Sequence, residues 1–272
     1  MPLLPKLVPV RIRMDSCPPS YTPLIVGGTD ANPAEFPHMA ALGFNRNDEI
    51  DYLCGGTLIS TNFILTAAHC TSTRWGPPVV AFLGSRDLYS EEGVVATVEE
   101  VMPHPGYKPP SCYHDIALVR LRADFELSAQ LRPACLPTPD TKAQFPGATA
   151  IATGWGKLGF GRDASTSLKK VTLKVMNNRK CQEYYASDMK TDSLRRGITP
   201  RLMCAMGHQD KFHDTCQGDS GGPLQTPVAG SKCLTQIVGI TSFGKSCGAG
   251  VPGVYTRVAP YVPWIEDIVW PL

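Results

Sequence analysis

Three residues of the sequence, His69, Asp115 and Ser220, could together activate a hydroxyl group for attack on a carbonyl. They stand in Thr-Ala-Ala-His-Cys at 66–70, Asp-Ile-Ala-Leu at 115–118 and Gly-Asp-Ser-Gly-Gly-Pro at 218–223. A serine hydroxyl is a poor nucleophile at neutral pH and needs an imidazole to take its proton. The imidazole needs a carboxylate on its other nitrogen, which fixes the tautomer and stabilises the charged ring. The three segments therefore predict acyl transfer by a serine nucleophile.

A mainly β scaffold has to position these segments. Short apolar runs bounded by Gly, Pro and Asn predict strands at 56–60, 63–67, 79–83, 116–121, 149–153, 234–243 and 253–258. Only the C-terminal stretch, about 261–270, has helical spacing, with Val262, Ile265, Ile268 and Val269 on one face. A polar, Pro-rich break near 137–146 indicates two β halves, in a barrel or sandwich architecture.

Composition restricts the function classes. The 272 residues include ten cysteines, an even number, and carry a net charge of +2. The cysteines indicate an oxidising compartment or a metal site, and the absence of C-x-x-C spacing weakens the metal interpretation. A nearly neutral chain without a long apolar run argues against nucleic acid or a membrane as partner. We therefore expect a secreted, disulfide-bonded protein. The start of the chain shows no clear signal peptide, which is consistent with a fragment.

The order and spacing of the three segments resemble the chymotrypsin/trypsin serine proteases, from Ile25 to the C-terminus. The resemblance implies an all-β fold of two six-stranded antiparallel barrels with a C-terminal surface helix. Residues 1–24 would be a pro-segment or linker and 25–272 the protease domain, with the first barrel at about 25–140 and the second at about 141–260. His69, Asp115 and Ser220 would be catalytic, and the backbone N–H groups of Gly218 and Ser220 would form the oxyanion hole.

The same resemblance predicts substrate preference. Asp214, six residues before Ser220, matches the floor of the specificity pocket in trypsin-like members, where a buried carboxylate needs a cationic partner. Gly244 and Gly253 match the pocket walls, and Ser242 matches the serine that contacts the catalytic aspartate. We expect cleavage after Arg or Lys.

Activation is predicted at Leu24–Ile25. Ile-Val-Gly-Gly at 25–28 resembles the mature N-terminus of the family, whose new α-ammonium pairs with the acid before the serine, here Asp219. Leu24 stands where trypsin-like zymogens usually carry Arg or Lys. An enzyme with Asp214 in its pocket gains nothing from leucine, so an upstream protease with apolar preference has to make the cut.

Leu24 and the segments at 35–39 and 241–245 look like arthropod clip-domain proteases of the Snake/Persephone type. This resemblance implies a place in an extracellular protease cascade of development or innate immunity, with a downstream protease zymogen as substrate and serpin-type inhibitors as partners. The alternative is a protease homologue that binds without cutting and acts as an adaptor. Such homologues lose a triad member, and this chain keeps all three, which favours the enzyme.

By resemblance, eight cysteines pair as Cys54–Cys70, Cys17–Cys135, Cys181–Cys204 and Cys216–Cys247. Cys112 and Cys233 match no family partner, and we predict that they are not bonded to each other. The loop at 84–94 corresponds to a calcium loop of some relatives but has Ser85 where calcium binders carry Glu. We expect no metal and no cofactor.

Overall fold

A computed structural model describes residues 28–141, 145–157, 164–207, 219–228, 231, 234–245 and 250–271. Its strands are β1 (Thr29–Asp30), β2 (Met39–Arg46), β3 (Glu49–Leu58), β4 (Phe63–Thr66), β5 (Val80–Leu83), β6 (Val94–Pro103), β7 (Ala117–Leu121), β8 (Thr149–Gly154), β9 (Lys169–Met176), β10 (Leu202–Met206), β11 (Pro223–Pro227), β12 (Thr235–Phe243) and β13 (Gly253–Arg257). The helices are α1 (Asn178–Tyr184) and α2 (Val262–Val269), with short 3-10 helices at Ala68–Thr71, Asp188–Lys190 and Ala259–Tyr261.

The strands form two closed antiparallel barrels. The first has the order β2-β3-β4-β7-β6-β5, and the second has the order β8-β9-β10-β13-β12-β11, closed by the β11–β8 pairing. β1 is added to the second barrel at β9. The predicted fold class, two six-stranded barrels with a C-terminal helix, is confirmed. The chain passes from one barrel to the other between β7 and β8, across the polar stretch at 137–146.

The predicted strands overlap β3, β4, β5, β7, β8, β12 and β13. The clearest of them is β4, where all four residues are buried. The prediction did not include β1, β2, β6, β9, β10 or β11. The residues of β6 are mostly exposed or half-buried, so this strand carries no apolar run. Strands closed into barrels need only one buried face, which leaves such a pattern weak.

The helical prediction was right at the C-terminus and incomplete elsewhere. In α2, Ile265 is fully buried, and Val262, Ile268 and Val269 pack against the core of the first barrel. The structure adds α1, which the sequence analysis did not predict. Its seven residues bury only Cys181, and its N-terminus is capped by the Asn177 side chain, so apolar periodicity could not reveal it.

A separate apolar cluster joins the two barrels near the first described residues. Phe36, Met39 and Phe82 from the first barrel pack with Trp155 and Leu168 from the second. Packing of this kind fixes the barrels relative to each other, and the predicted catalytic residues lie where they meet.

The structure contains the Cys54–Cys70 and Cys181–Cys204 disulfides. Among the described residues, Cys112 and Cys135 carry free thiols. Cys17 lies outside the described residues, so the predicted Cys17–Cys135 bond stays a prediction. Cys233 and the pair Cys216–Cys247 also lie outside the described residues, so their pairing stays a prediction.

None of the helices in the described part of the chain has the length and apolar character needed to span a bilayer.

Candidate active site

Two backbone turns in the first barrel position His69 and Asp115. His69 lies in the 3-10 helix that begins two residues after β4, and Asp115 lies two residues before β7. β4 and β7 are paired neighbours, with Thr66 opposite Ala117, so the two turns emerge at the same end of the barrel. His114, beside Asp115, has a left-handed φ of 59°. This tight turn, with the Ile116 N–H donating to the His114 carbonyl at 2.8 Å, sets the direction of the Asp115 side chain.

The Asp115 carboxylate accepts hydrogen bonds at both oxygens. Oδ1 accepts from the backbone N–H of His69 at 2.9 Å, and Oδ2 accepts from Nδ1 of its ring at 2.8 Å. Ser242 on β12 donates its hydroxyl to Oδ2 at 2.5 Å, as the sequence analysis expects of that serine. This arrangement places the proton on Nδ1 and leaves Nε2 available as a base.

Burial and the carboxylate act in opposite directions on the His69 ring. Burial disfavours the charged ring, but the hydrogen bond and the negative charge of Asp115 outweigh it and raise the pKa of His69 above its ordinary value of 6.5. The Asp115 side chain is 4% exposed and that of His69 is 32% exposed. The ring can therefore be reached from the surface while its carboxylate partner is shielded from water.

Ser220 lies in a turn that is held against the first barrel. The Gly222 N–H donates to the Asp219 carbonyl at 2.9 Å and closes the turn, and the Gly55 N–H donates to the Ser220 carbonyl at 2.7 Å. Cys70 Sγ lies 3.6 Å from the same carbonyl. The turn at 219–222, the serine turn, thus contacts both halves of the Cys54–Cys70 disulfide segment, next to His69.

Close backbone approach at this contact explains two glycines. A Cβ on Gly221, whose φ is +78°, would lie 2.2 Å from Thr66 Oγ1 and 2.6 Å from the Gly55 carbonyl. A Cβ on Gly55 would lie 3.1 Å from Gly222 Cα. Side chains at these positions would push the serine turn away from the first barrel.

The predicted pocket residues are partly visible. Ser242 is buried at the end of β12, and a Cβ on Gly244 would lie 4.0 Å from Gly253 Cα. The two predicted wall glycines therefore face each other. Asp214 and Gly218 lie outside the described residues, so the pocket floor and one oxyanion donor stay predictions.

Asp219 points toward the end of β8. Its Oδ1 accepts from the Gly156 N–H at 2.9 Å. A Cβ on Gly154 would lie 2.0 Å from the same oxygen, so β8 ends in glycine where the carboxylate packs against it. Leu24 and Ile25 lie outside the described residues, and the predicted pairing of Ile25 with Asp219 stays a prediction.

The sequence analysis missed several residues that position the site. Thr256 on β13 donates its hydroxyl to the backbone carbonyl of Asp115 at 2.8 Å, and Thr66 donates to the Gly55 carbonyl at 2.8 Å. The Gly-Gly pair after Cys54 was the one available signal, because consecutive glycines in a strand mark close backbone approach.

One group of three potential metal ligands occurs among the described residues, Cys54, His69 and Cys70, with ligand atoms within 4.8 Å of one another. Both sulfurs belong to the Cys54–Cys70 disulfide, so neither can act as a thiolate ligand.

The sequence is similar to known serine proteases over almost its whole length. The family model described as Trypsin matches residues 25–265. The chain is 41% identical over 263 residues to Serine protease snk of Drosophila melanogaster, covering 93% of this chain and 58% of that protein. It is 35% identical to the Clotting factor G beta subunit of Tachypleus tridentatus, covering 90% of this chain and 80% of the relative. It is also 35% identical to CLIP domain-containing serine protease C9 of Anopheles gambiae, covering 94% and 71%.

Proposed function

The chain belongs to the trypsin family of serine proteases, and on that premise we propose that it is the zymogen of an active endopeptidase that cleaves after Arg or Lys. One observation supports the catalytic part most directly. The buried Asp115 carboxylate accepts from both nitrogens that His69 can present to it, the backbone N–H and ring Nδ1. This is the orientation that a base for Ser220 requires.

The reaction is acyl transfer through Ser220. Nε2 of His69 removes the hydroxyl proton as Ser220 Oγ attacks the scissile carbonyl carbon, and Asp115 stabilises the imidazolium that results. His69 then returns the proton to the leaving amine, which departs and leaves an ester on Ser220. Water, deprotonated by the same imidazole, hydrolyses the ester. The oxyanion of each tetrahedral intermediate would bind the backbone N–H groups of Gly218 and Ser220.

Preference for Arg or Lys rests on Asp214 and on the facing glycines. Because Gly244 and Gly253 approach without side chains, space remains between their strands for a long substrate side chain. A carboxylate at Asp214 would bind its cationic end, since a buried charge needs an opposite charge.

Activation by cleavage at Leu24–Ile25 would create an α-ammonium at Ile25 for the Asp219 carboxylate. The position of that carboxylate against Gly154 and Gly156 supports this step, because the serine turn would then be tied to the second barrel. Leu24 does not suit a pocket with Asp214, so a second protease with apolar preference would act upstream.

A role in an extracellular cascade is supported by the similarity to clip-domain proteases and to a clotting factor subunit. Two disulfides among the described residues fit an oxidising compartment. In such a cascade the substrate is the next protease zymogen and inhibitors of the serpin type are partners. The family also fits a role in innate immunity.

Hydrolysis of an Arg-linked chromogenic peptide by protein cleaved at Leu24–Ile25 tests the proposal. Ser220→Ala should abolish hydrolysis, while Ser128→Ala, at an exposed serine of the first barrel, should retain it. Equal rates for cleaved wild type and Ser220→Ala would refute the enzyme and favour the non-catalytic adaptor.

A further inference from the structure

The described part of the segment after the proposed cut, which begins at Gly28, lies on β9. Thr29 lies opposite Lys170 and Asp30 opposite Lys169 in the short β1–β9 pairing. Gly28, three residues after Ile25 in the sequence, has a left-handed φ of +63°, and a Cβ there would lie 4.0 Å from the Lys170 carbonyl. The position of this segment on β9 therefore determines where a new N-terminus can reach.

A buried ion pair fastens the same segment to β9. The Lys170 ammonium lies 2.7 Å from each carboxylate oxygen of Glu35. The Glu35 side chain is 6% exposed and that of Lys170 is 16% exposed. The Asn32 N–H also donates to Glu35 Oε2 at 2.8 Å, so the carboxylate holds the turn between β1 and β2 as well as the lysine.

The neighbouring ion pair is different. This second ion pair joins Asp30 to Lys169, the residue before Lys170 on β9, and the Asp30 side chain is 59% exposed. Exposed pairs contribute little because water screens them, whereas removing one partner of a buried pair leaves an uncompensated charge. The two pairs thus form a matched set: both join a carboxylate to one of two adjacent lysines on β9, and they differ in burial.

The other edge of β9 pairs with the strand that contacts Asp219. Thr153 lies opposite Lys170 and Gly154 opposite Lys169 in the β8–β9 pairing. Gly154 in turn lies against the Asp219 carboxylate. β9 is therefore the single strand between the segment after the cut and the strand end that holds Asp219.

We propose that the Glu35–Lys170 ion pair is the anchor that aligns the new N-terminus with Asp219 and so sets the fraction of cleaved protein in the active conformation. The proposal rests on the activation at Leu24–Ile25 proposed above. Glu35 and Lys170 act through the docked segment and are positioning residues. Among the described residues, the charged groups at this junction are Asp219, Asp30, Glu35, Lys169, Lys170 and Arg86, whose guanidinium donates to the Ala31 carbonyl at 3.0 Å.

The pH above which activity is lost measures how well the new N-terminus is aligned with Asp219. An α-ammonium has an ordinary pKa of about 8, and its pairing with Asp219 in the active conformation raises that value. Activity is lost when pH rises above the raised pKa, because the neutral amine no longer favours the active conformation. A weaker anchor lowers the equilibrium constant for the active conformation and moves the alkaline midpoint to lower pH.

The test compares the pH profiles of kcat/KM for cleaved wild type, Glu35→Gln and Asp30→Asn. We expect Glu35→Gln to lower the alkaline midpoint by about one pH unit, which corresponds to a tenfold weaker anchor. Asp30→Asn should leave it nearly unchanged. In the double variant Glu35→Lys/Lys170→Glu, which exchanges the two charges, the alkaline midpoint should return most of the way to the wild-type value. Lys170→Met, which keeps an aliphatic stem, supplies a second measurement if Glu35→Gln does not fold.

Two outcomes separate the possible failures. If Glu35→Gln and Lys170→Met lower the melting temperature but keep the wild-type alkaline midpoint, the pair only stabilises the fold and the anchor is refuted. If cleaved wild type shows no hydrolysis dependent on Ser220, the proposed function itself fails.

Discussion

The backbone N–H of Gly55, on the first barrel, donates a 2.7 Å hydrogen bond to the carbonyl of Ser220, in the turn before β11 of the second barrel. Gly55 is adjacent to Cys54, whose disulfide partner Cys70 follows His69. The proposed base, His69, and the proposed nucleophile, Ser220, therefore belong to different barrels but are joined by one backbone contact and one disulfide. The relative placement of the barrels is part of the catalytic geometry.

This contact predicts graded effects of alanine substitutions. Gly221→Ala places a Cβ 2.2 Å from Thr66 Oγ1 at a left-handed φ, whereas Gly55→Ala places one 3.1 Å from Gly222 Cα. We expect Gly55→Ala to lower kcat about tenfold with little change in KM, and Gly221→Ala to lower kcat about 100-fold or more, because small displacements of a nucleophile are costly. Steady-state kinetics of the cleaved variants measure both, and equal kcat values for Gly55→Ala and wild type would contradict the interpretation.

The His69–Asp115 pair predicts the acid side of the pH profile. His69 acts as a base only when neutral, so activity is lost as pH falls through its pKa, which lies above 6.5. Asp115→Asn removes the hydrogen bond and the negative charge that raise the pKa of His69, while burial, which lowers that pKa, remains. The acid limit of activity should therefore move to lower pH. The same change lowers kcat/KM about 10⁴-fold at neutral pH, because the tautomer is no longer fixed.

Ser242→Ala provides the matched control for that experiment. It removes one hydrogen bond to Asp115 and keeps the carboxylate, so kcat/KM should fall by about tenfold at most. The measurement is the profile of kcat/KM against pH for both variants and the wild type. An acid limit that stays in place in Asp115→Asn would show that the carboxylate does not control the base.

A second histidine predicts loss of stability in acid. His38 is 2% exposed and donates from Nε2 to Gln225 Oε1 at 2.5 Å. Burial lowers its pKa to about 4, only partly opposed by that hydrogen bond. The unfolded chain binds a proton below about pH 6.5, and the folded chain does not until about pH 4. Stability therefore falls across this window as pH falls, by about 3 kcal/mol in total.

Urea unfolding of the inactive Ser220→Ala protein at neutral pH and at about pH 4.5 measures this loss. In the same background, His38→Gln should weaken the dependence of the unfolding free energy on pH. An unchanged dependence would mean that other groups cause the acid sensitivity.

Leu24 predicts that the enzyme cannot activate itself. With Arg in place of Leu24, the residue before the cut suits a pocket with Asp214, and the Leu24→Arg zymogen should cleave itself before Ile25. Incubation of the purified zymogens at high concentration, followed by sequencing of the new N-terminus, measures this. The idea fails if the Leu24→Arg zymogen stays intact while an added trypsin-like protease cuts it.

Residue type and order predicted the family and the fold class, while contacts between distant segments could not be predicted. His69, Asp115 and Ser220 are recognisable because each lies in a short, distinctive segment. The Glu35–Lys170 ion pair joins residues 135 positions apart, and nothing in the sequence links the two. β6 and α1 were missed for a related reason, since the few residues they bury produce no clear periodicity.

Covalent labelling by a fluorophosphonate tests the central claim most directly, because this reagent reacts with a serine activated by a neighbouring base. The account predicts one adduct per molecule on Ser220 after cleavage at Leu24–Ile25, much slower labelling before cleavage, and none in His69→Ala. Absence of an adduct on Ser220 in the folded, cleaved protein would contradict it, as would equal labelling of wild type and His69→Ala.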